Sequence, residues 1–168
     1  MFFRYSNSPI ASRTTFHQES VRSLEALPGS GTPLWAMLSV GYTRVSEVLN
    51  YHYPDLTALQ MIQHVVIGYR GIHFWSYRGF DGRFNNAVAF ASRIIAEFED
   101  WFLQGKKVEL PKEAIVAPEM VLAAAWEHEG RLAIFLLNFE ATRDVQVRIR
   151  AEHLPMKAKR FVDAMSGR

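Results

Sequence analysis

The chain has 168 residues, 49% of them hydrophobic and 21% charged, enough for one domain or two small ones and too apolar to stay disordered. Nineteen Lys and Arg against 17 Asp and Glu leave a net charge of +2, which excludes a strongly basic nucleic-acid-binding surface. The absence of Cys excludes disulfide scaffolds, thiolate zinc sites and a cysteine nucleophile, and leaves the compartment open.

The opening residues lack an apolar core of signal-peptide length, and no run reaches the ~18 apolar residues of a membrane span. A first helix is predicted from Thr15 to Leu27, with Thr15 and Gln18 as a capping box and Pro28-Gly29-Ser30-Gly31 as its stop. Pro33 to Val40 is apolar at successive positions, as in a parallel strand covered on both faces. A long polar and aromatic loop is expected from Gly41 to Pro54. The second helix, from Asp55 or Thr57 to Ile67, has a Thr57–Gln60 box at its start and Gly68 in the left-handed capping place. Gly71 to Tyr77 reads as a strand, so the two strands and the helix between them form a βαβ unit with parallel strands.

After the loop Arg78 to Arg83, the longest helix is predicted from Asn85 to Leu103. Phe84, Val88, Ala91, Ile95, Phe98 and Phe102 form its apolar stripe, and Gly105 closes it. From Lys106 the period falls to two. Strands are expected at Val121–His128, Leu132–Phe139, Val145–Arg150 and Arg160–Met165, the first two joined as a hairpin across Glu129-Gly130-Arg131. A boundary between Gln104 and Pro111 divides an α/β region, residues 1–105, from an antiparallel region, residues 106–168. Both regions look cut short, because two parallel strands leave sheet edges without neighbours and a closed (β/α)8 barrel needs ~250 residues.

The order of elements resembles the end of the barrel of glycoside hydrolases in the broad β-galactosidase-like group. The likeness rests on Pro33-Leu34-Trp35-Ala36-Met37, on Gly68-Tyr69-Arg70-Gly71 leading into Ile72-His73-Phe74-Trp75, and on the later Asp163-Ala164-Met165-Ser166-Gly167. It implies a partial (β/α)8 barrel, its last two or three βα units, followed by an incomplete antiparallel β-sandwich domain. It also implies a missing barrel portion upstream. The activity implied is acid/base chemistry on a glycosidic bond. Many retaining members carry a nucleophilic Glu where this chain has Met37-Leu38-Ser39-Val40-Gly41, and the acid/base Glu would lie before Met1. The resemblance therefore supplies no catalytic residue, and the chain alone is expected to be inactive. The runner-up is a non-catalytic carbohydrate-binding or interaction protein. A third reading is a small independent α/β domain with an appended sandwich.

Chemistry in a barrel collects at the C-terminal strand ends. Alternation places His73, Trp75 and Tyr77 on one face. Trp75 would stack on a pyranose, with Tyr77, Arg78 and Asp81 bonding its hydroxyls and Tyr42 at the neighbouring strand end. The structural alternative for Asp81 is a turn, an ion pair with Arg78 or Arg83, or a helix cap. His52, His64 and His73 lack the spacing of a zinc-protease motif, so they read as core or surface histidines. The glycines offer no phosphate-loop spacing. Neither metal nor cofactor is expected, and the partner is a carbohydrate rather than nucleic acid or a membrane.

Overall fold

A computed structural model describes residues 23, 26, 33–39, 42–45, 48–51, 54–75, 81–139, 144–157 and 161–163. In chain order these form β1 (Trp35–Ser39), β2 (Tyr42–Val45), β3 (Val48–Tyr51), α1 (Pro54–Ile67), β4 (Gly71–Trp75), α2 (Gly82–Glu97) and α3 (Glu99–Leu103). There follow β5 (Lys106–Val108), β6 (Ile115–Val116), β7 (Val121–His128), β8 (Arg131–Asn138), β9 (Arg148–Ile149) and a short 3-10 turn at Ala151–His153. The first predicted helix lies outside the described residues except for Ser23 and Ala26. The last predicted strand is described only at Phe161, Val162 and Asp163, which have no regular structure.

β1 and β4 pair in parallel from Trp35↔Gly71 to Ser39↔Trp75, as the strand–helix–strand pattern predicts. Their alternating residues divide cleanly. Ala36 and Leu38 are buried, and Ile72 and Phe74 pack on or beside the same core, while Trp35 and His73 are exposed on the opposite face. The expected long loop is instead a hairpin, β2 against β3, with Tyr42 opposite Tyr51.

Helix α1 starts one turn earlier than the Thr57 box predicts. Pro54 occupies its first turn, where the missing N–H costs nothing, and Thr57 is buried inside it. At the other end Gly68 has φ 115°, the left-handed conformation that a side chain would penalise. Tyr69 N–H donates to His64 O and Gly68 N–H to Val65 O, the paired bonds of a Schellman cap. The two remaining terminal carbonyls are met from the sheet. Trp126 Nε1 donates to Val66 O at 2.7 Å, and Lys107 Nζ donates to Ile67 O at 3.2 Å. Lys107 and Trp126 are register partners on β5 and β7, so one rung of that sheet supplies both donors.

The long predicted helix is two. α2 ends at Phe98, whose φ −106° and ψ 18° turn the chain before α3. The hydrogen-bond ladder continues on either side through Phe98 N to Ile94 O and Phe102 N to Phe98 O. The bend lets Phe98 and Phe102 both reach Phe135, with ring centroids 4.9 Å and 5.3 Å away. At Gly105 an added Cβ would lie 2.4 Å from Trp101 O and 2.7 Å from Glu127 O, both backbone atoms, so glycine is required by space.

β5, β7 and β8 form one antiparallel sheet in that order, and β6 and β9 a separate ribbon. The predicted strand Val145–Arg150 keeps only Arg148–Ile149. Residues 144–147 have no regular structure.

The expected fold class, a partial (β/α)8 barrel followed by an incomplete β-sandwich, is overturned. The described parallel sheet has two strands and does not close, and the face that a barrel interior would fill bears the exposed Trp35 and His73. The described antiparallel strands of this region form a three-stranded sheet and a separate two-stranded ribbon. Ala124, Trp126, Phe135 and Leu137 instead share a core with Met61, Ile62 and Val66 of α1, Ala87 and Ala91 of α2, and Phe102 of α3. Bulky aromatic residues on one sheet face and a helix, α1, that is buried on most of its surface make that layering favourable.

Candidate functional site

The expected site lies where β1 and β4 end. Their parallel register sets Ser39 beside Trp75, the last residues of both strands. β2 begins at Tyr42, directly after that end, and pairs with β3 through Tyr42 and Tyr51. Tyr77 and Arg78 lie outside the described residues.

Asp81 stands at the N-terminus of α2. Its backbone is extended (φ −99°, ψ −177°), and Oδ1 accepts from Arg83 N at 2.9 Å and Phe84 N at 3.2 Å. Oδ2 accepts from Arg83 Nε at 3.2 Å and Nη2 at 3.0 Å. This is the capping and ion-pairing alternative weighed from the sequence. The Arg83 side chain foremost, and the backbone N–H groups of Phe84 and Arg83 with it, hold the carboxyl below its ordinary value. A carboxylate stabilised in its charged form accepts hydrogen bonds well and is a poor general acid at neutral pH. Among the described residues these pairings are separate, and none joins one predicted site residue to another.

Three polar side chains buried in α1 were not singled out as a group. Thr57, Gln63 and His64 are all at or below 2% exposure. His64 Nδ1 is bonded to Gln60 O, which places the proton on Nδ1, and its ring meets Tyr69 edge-on at 4.9 Å. It is a core histidine. Both amide atoms of Gln63 lack a hydrogen-bond partner, as does Trp101 Nε1, and a buried amide left so costs about 1–3 kcal/mol. The apolar periodicity of the helix gives no hint of this, since Gln63 falls beside Ile62 in a buried stretch.

Trp101 carries other contacts. Arg131 lies 4.7 Å over its ring, and His128 and Phe98 meet it edge-on at 5.5 Å. On the sheet, Val121, Leu136, Asn138, Asp144, Val145 and Val147 line a groove of about 350 Å3. Among the described residues no group of three or more His, Asp or Glu is placed to hold a metal ion. No described helix is long and apolar enough to cross a membrane.

Trp35 was read as a covered strand residue, yet it is 66% exposed. Its signal was present but could be used only with the register: Trp35 falls opposite Gly71, which has no side chain to bury it. No family model, no curated protein and no solved structure matches this chain.

Proposed function

We propose that the chain recognises carbohydrate, forming one wall of a sugar-binding site of glycoside hydrolase-like character at the ends of β1 and β4. The observation that carries the reading is the Ser39↔Trp75 register, which brings two parallel strand ends together. In open α/β sheets ligands gather outside the carboxyl ends of parallel strands. A tryptophan at that edge offers an apolar ring face for a pyranose, and the β2–β3 hairpin and the α2 N-terminus follow the two strands directly.

Within this reading the chain binds and orients, and does not protonate the leaving group. Glycosidic hydrolysis by acid and base requires two carboxylates at a set separation. Asp81 is committed to Arg83 and the α2 cap, so within this reading it is not assigned the role of acid. The acid and its partner carboxylate would have to come from outside the described residues. This favours carbohydrate binding over catalysis by the chain on its own.

The test is saturable binding of monosaccharides and disaccharides, followed by amide chemical shifts and calorimetry, for the wild type and Trp75→Ala. The expected result is binding that weakens at least tenfold in Trp75→Ala, about 1.4 kcal/mol, with an unchanged far-ultraviolet spectrum. A broad saccharide panel without saturable binding, or binding indifferent to Trp75→Ala, overturns the proposal.

A further inference from the structure

The exposed face of the β1–β4 pair carries an aromatic platform away from the strand ends. An added Cβ at Gly71 would lie 2.6 Å, 2.8 Å and 2.9 Å from three adjoining atoms of the Trp35 indole, Cδ2, Cε3 and Cε2. Near-equal distances to neighbouring ring atoms place the fused ring across the bare backbone of Gly71. One ring face is thus backed by the strand, and the side chain remains 66% exposed. His73, two residues further along β4 and on the same side of the pleat, is also exposed and offers a ring nitrogen beside the platform. Met37, half-buried, is its register partner.

The dimensions select the occupant. A two-stranded face five residues long measures roughly 17 Å by 10 Å, on the order of 170 Å2. A stable protein interface needs about 800 Å2 on each side. A rigid aromatic face with a hydrogen-bonding group next to it, on an area too small for a folded partner, suits a sugar ring.

We infer that Trp35, laid on Gly71 and flanked by His73, is a second stacking position that makes the β1–β4 face a binding surface for an oligosaccharide chain. This rests on the carbohydrate reading of the Trp75 end. Gly71 and Trp75 are four residues apart on β4, roughly 13 Å of strand, more than one pyranose covers. The two ends therefore engage different units of one chain.

Affinities for linear β-1,4- and α-1,4-linked glucose oligomers, from glucose to the hexasaccharide, test this with the wild type, Trp35→Ala and Gly71→Ala. The alanine at position 71 dislodges the indole while keeping it present. Wild-type affinity should rise at least tenfold with chain length. Both variants should lose that rise, keep monosaccharide binding and melt cooperatively. A rise that persists in Trp35→Ala overturns the inference and leaves the Trp75 reading standing. Absence of binding by any oligomer sinks both. If Trp35→Ala instead abolishes self-association in sedimentation without affecting sugar binding, a second copy of the chain occupies the face and the inference fails.

Discussion

Asp81 shows how much one exposed carboxylate can organise. It caps two N–H groups of α2 and pairs with Arg83, and each interaction prefers the ionised form. Its folded value is lowered below 3.8, so its contribution is fully present above that pH and is lost as the pH falls through the folded value. Asp81→Ala should therefore lower the melting temperature by a few degrees near neutrality, and Asp81→Asn, which can still cap, by less. The gap between wild type and Asp81→Ala should narrow in urea titrations carried below pH 3.8. A gap that widens on acidification would show that the charged form is not the stabilising one. The capping role was legible because Asp81 stands three residues before Phe84, at the start of an apolar period. Trp35 was not legible in the same way. Its exposure follows from which residue of another strand it faces, and local pattern does not encode register.

At the scale of elements, α1 and α2 were legible through their apolar period, and α1 also through Gly68 at its end. The Thr57–Gln60 box misplaced the start of α1, and the break at Phe98 was not legible. Nothing at Phe98 is a helix breaker. The chain bends there because two rings gain Phe135 as a neighbour, a tertiary gain that propensity does not anticipate. The β2–β3 hairpin was missed because its residues lack both an Asn-Gly turn and strict alternation. The β7–β8 hairpin was legible, and its turn is tighter than read. His128 pairs with Arg131, leaving two residues, Glu129 and Gly130, at φ 50° and 70°. Positive φ at both centres marks a type I′ turn. For glutamate the left-handed conformation costs about 1–2 kcal/mol. Its ion pair with Arg131 spans 3.4 Å between side chains 70% and 62% exposed, and such surface pairs contribute about 0–1 kcal/mol. The backbone effect outweighs the lost pair. Glu129→Asn should raise stability by about 0.5–1 kcal/mol in urea unfolding. A loss of stability would mean that the ion pair outweighs the backbone.

For the molecule as a whole, the sequence shows a change of period near Lys106 but does not show what lies across it. The packed core runs from Leu38 and Met61 through Phe102 to Trp126 and Phe135, so the α/β part and the antiparallel part bury one another. The unpartnered edges expected of a cut barrel predict weak cooperativity, and this common core predicts the opposite. Helix content and tryptophan fluorescence should be lost together in a single urea transition. Trp126→Phe removes the donor to Val66 O and should lower stability by about 1–3 kcal/mol without splitting that transition. Two separated transitions would show that the parts fold independently.

The end of α1 also sets an order for synthesis. Ile67 O waits for Lys107 and Val66 O for Trp126, 40 and 60 residues later in the chain. A nascent chain emerging from the ribosome therefore presents an apolar helix whose final turn stays open to water until the sheet is made. That interval is when a chaperone has most to hold, and ribosome-stalled chains with Trp126 still inside the exit tunnel should be far more protease-sensitive across α1 than chains from which it has emerged.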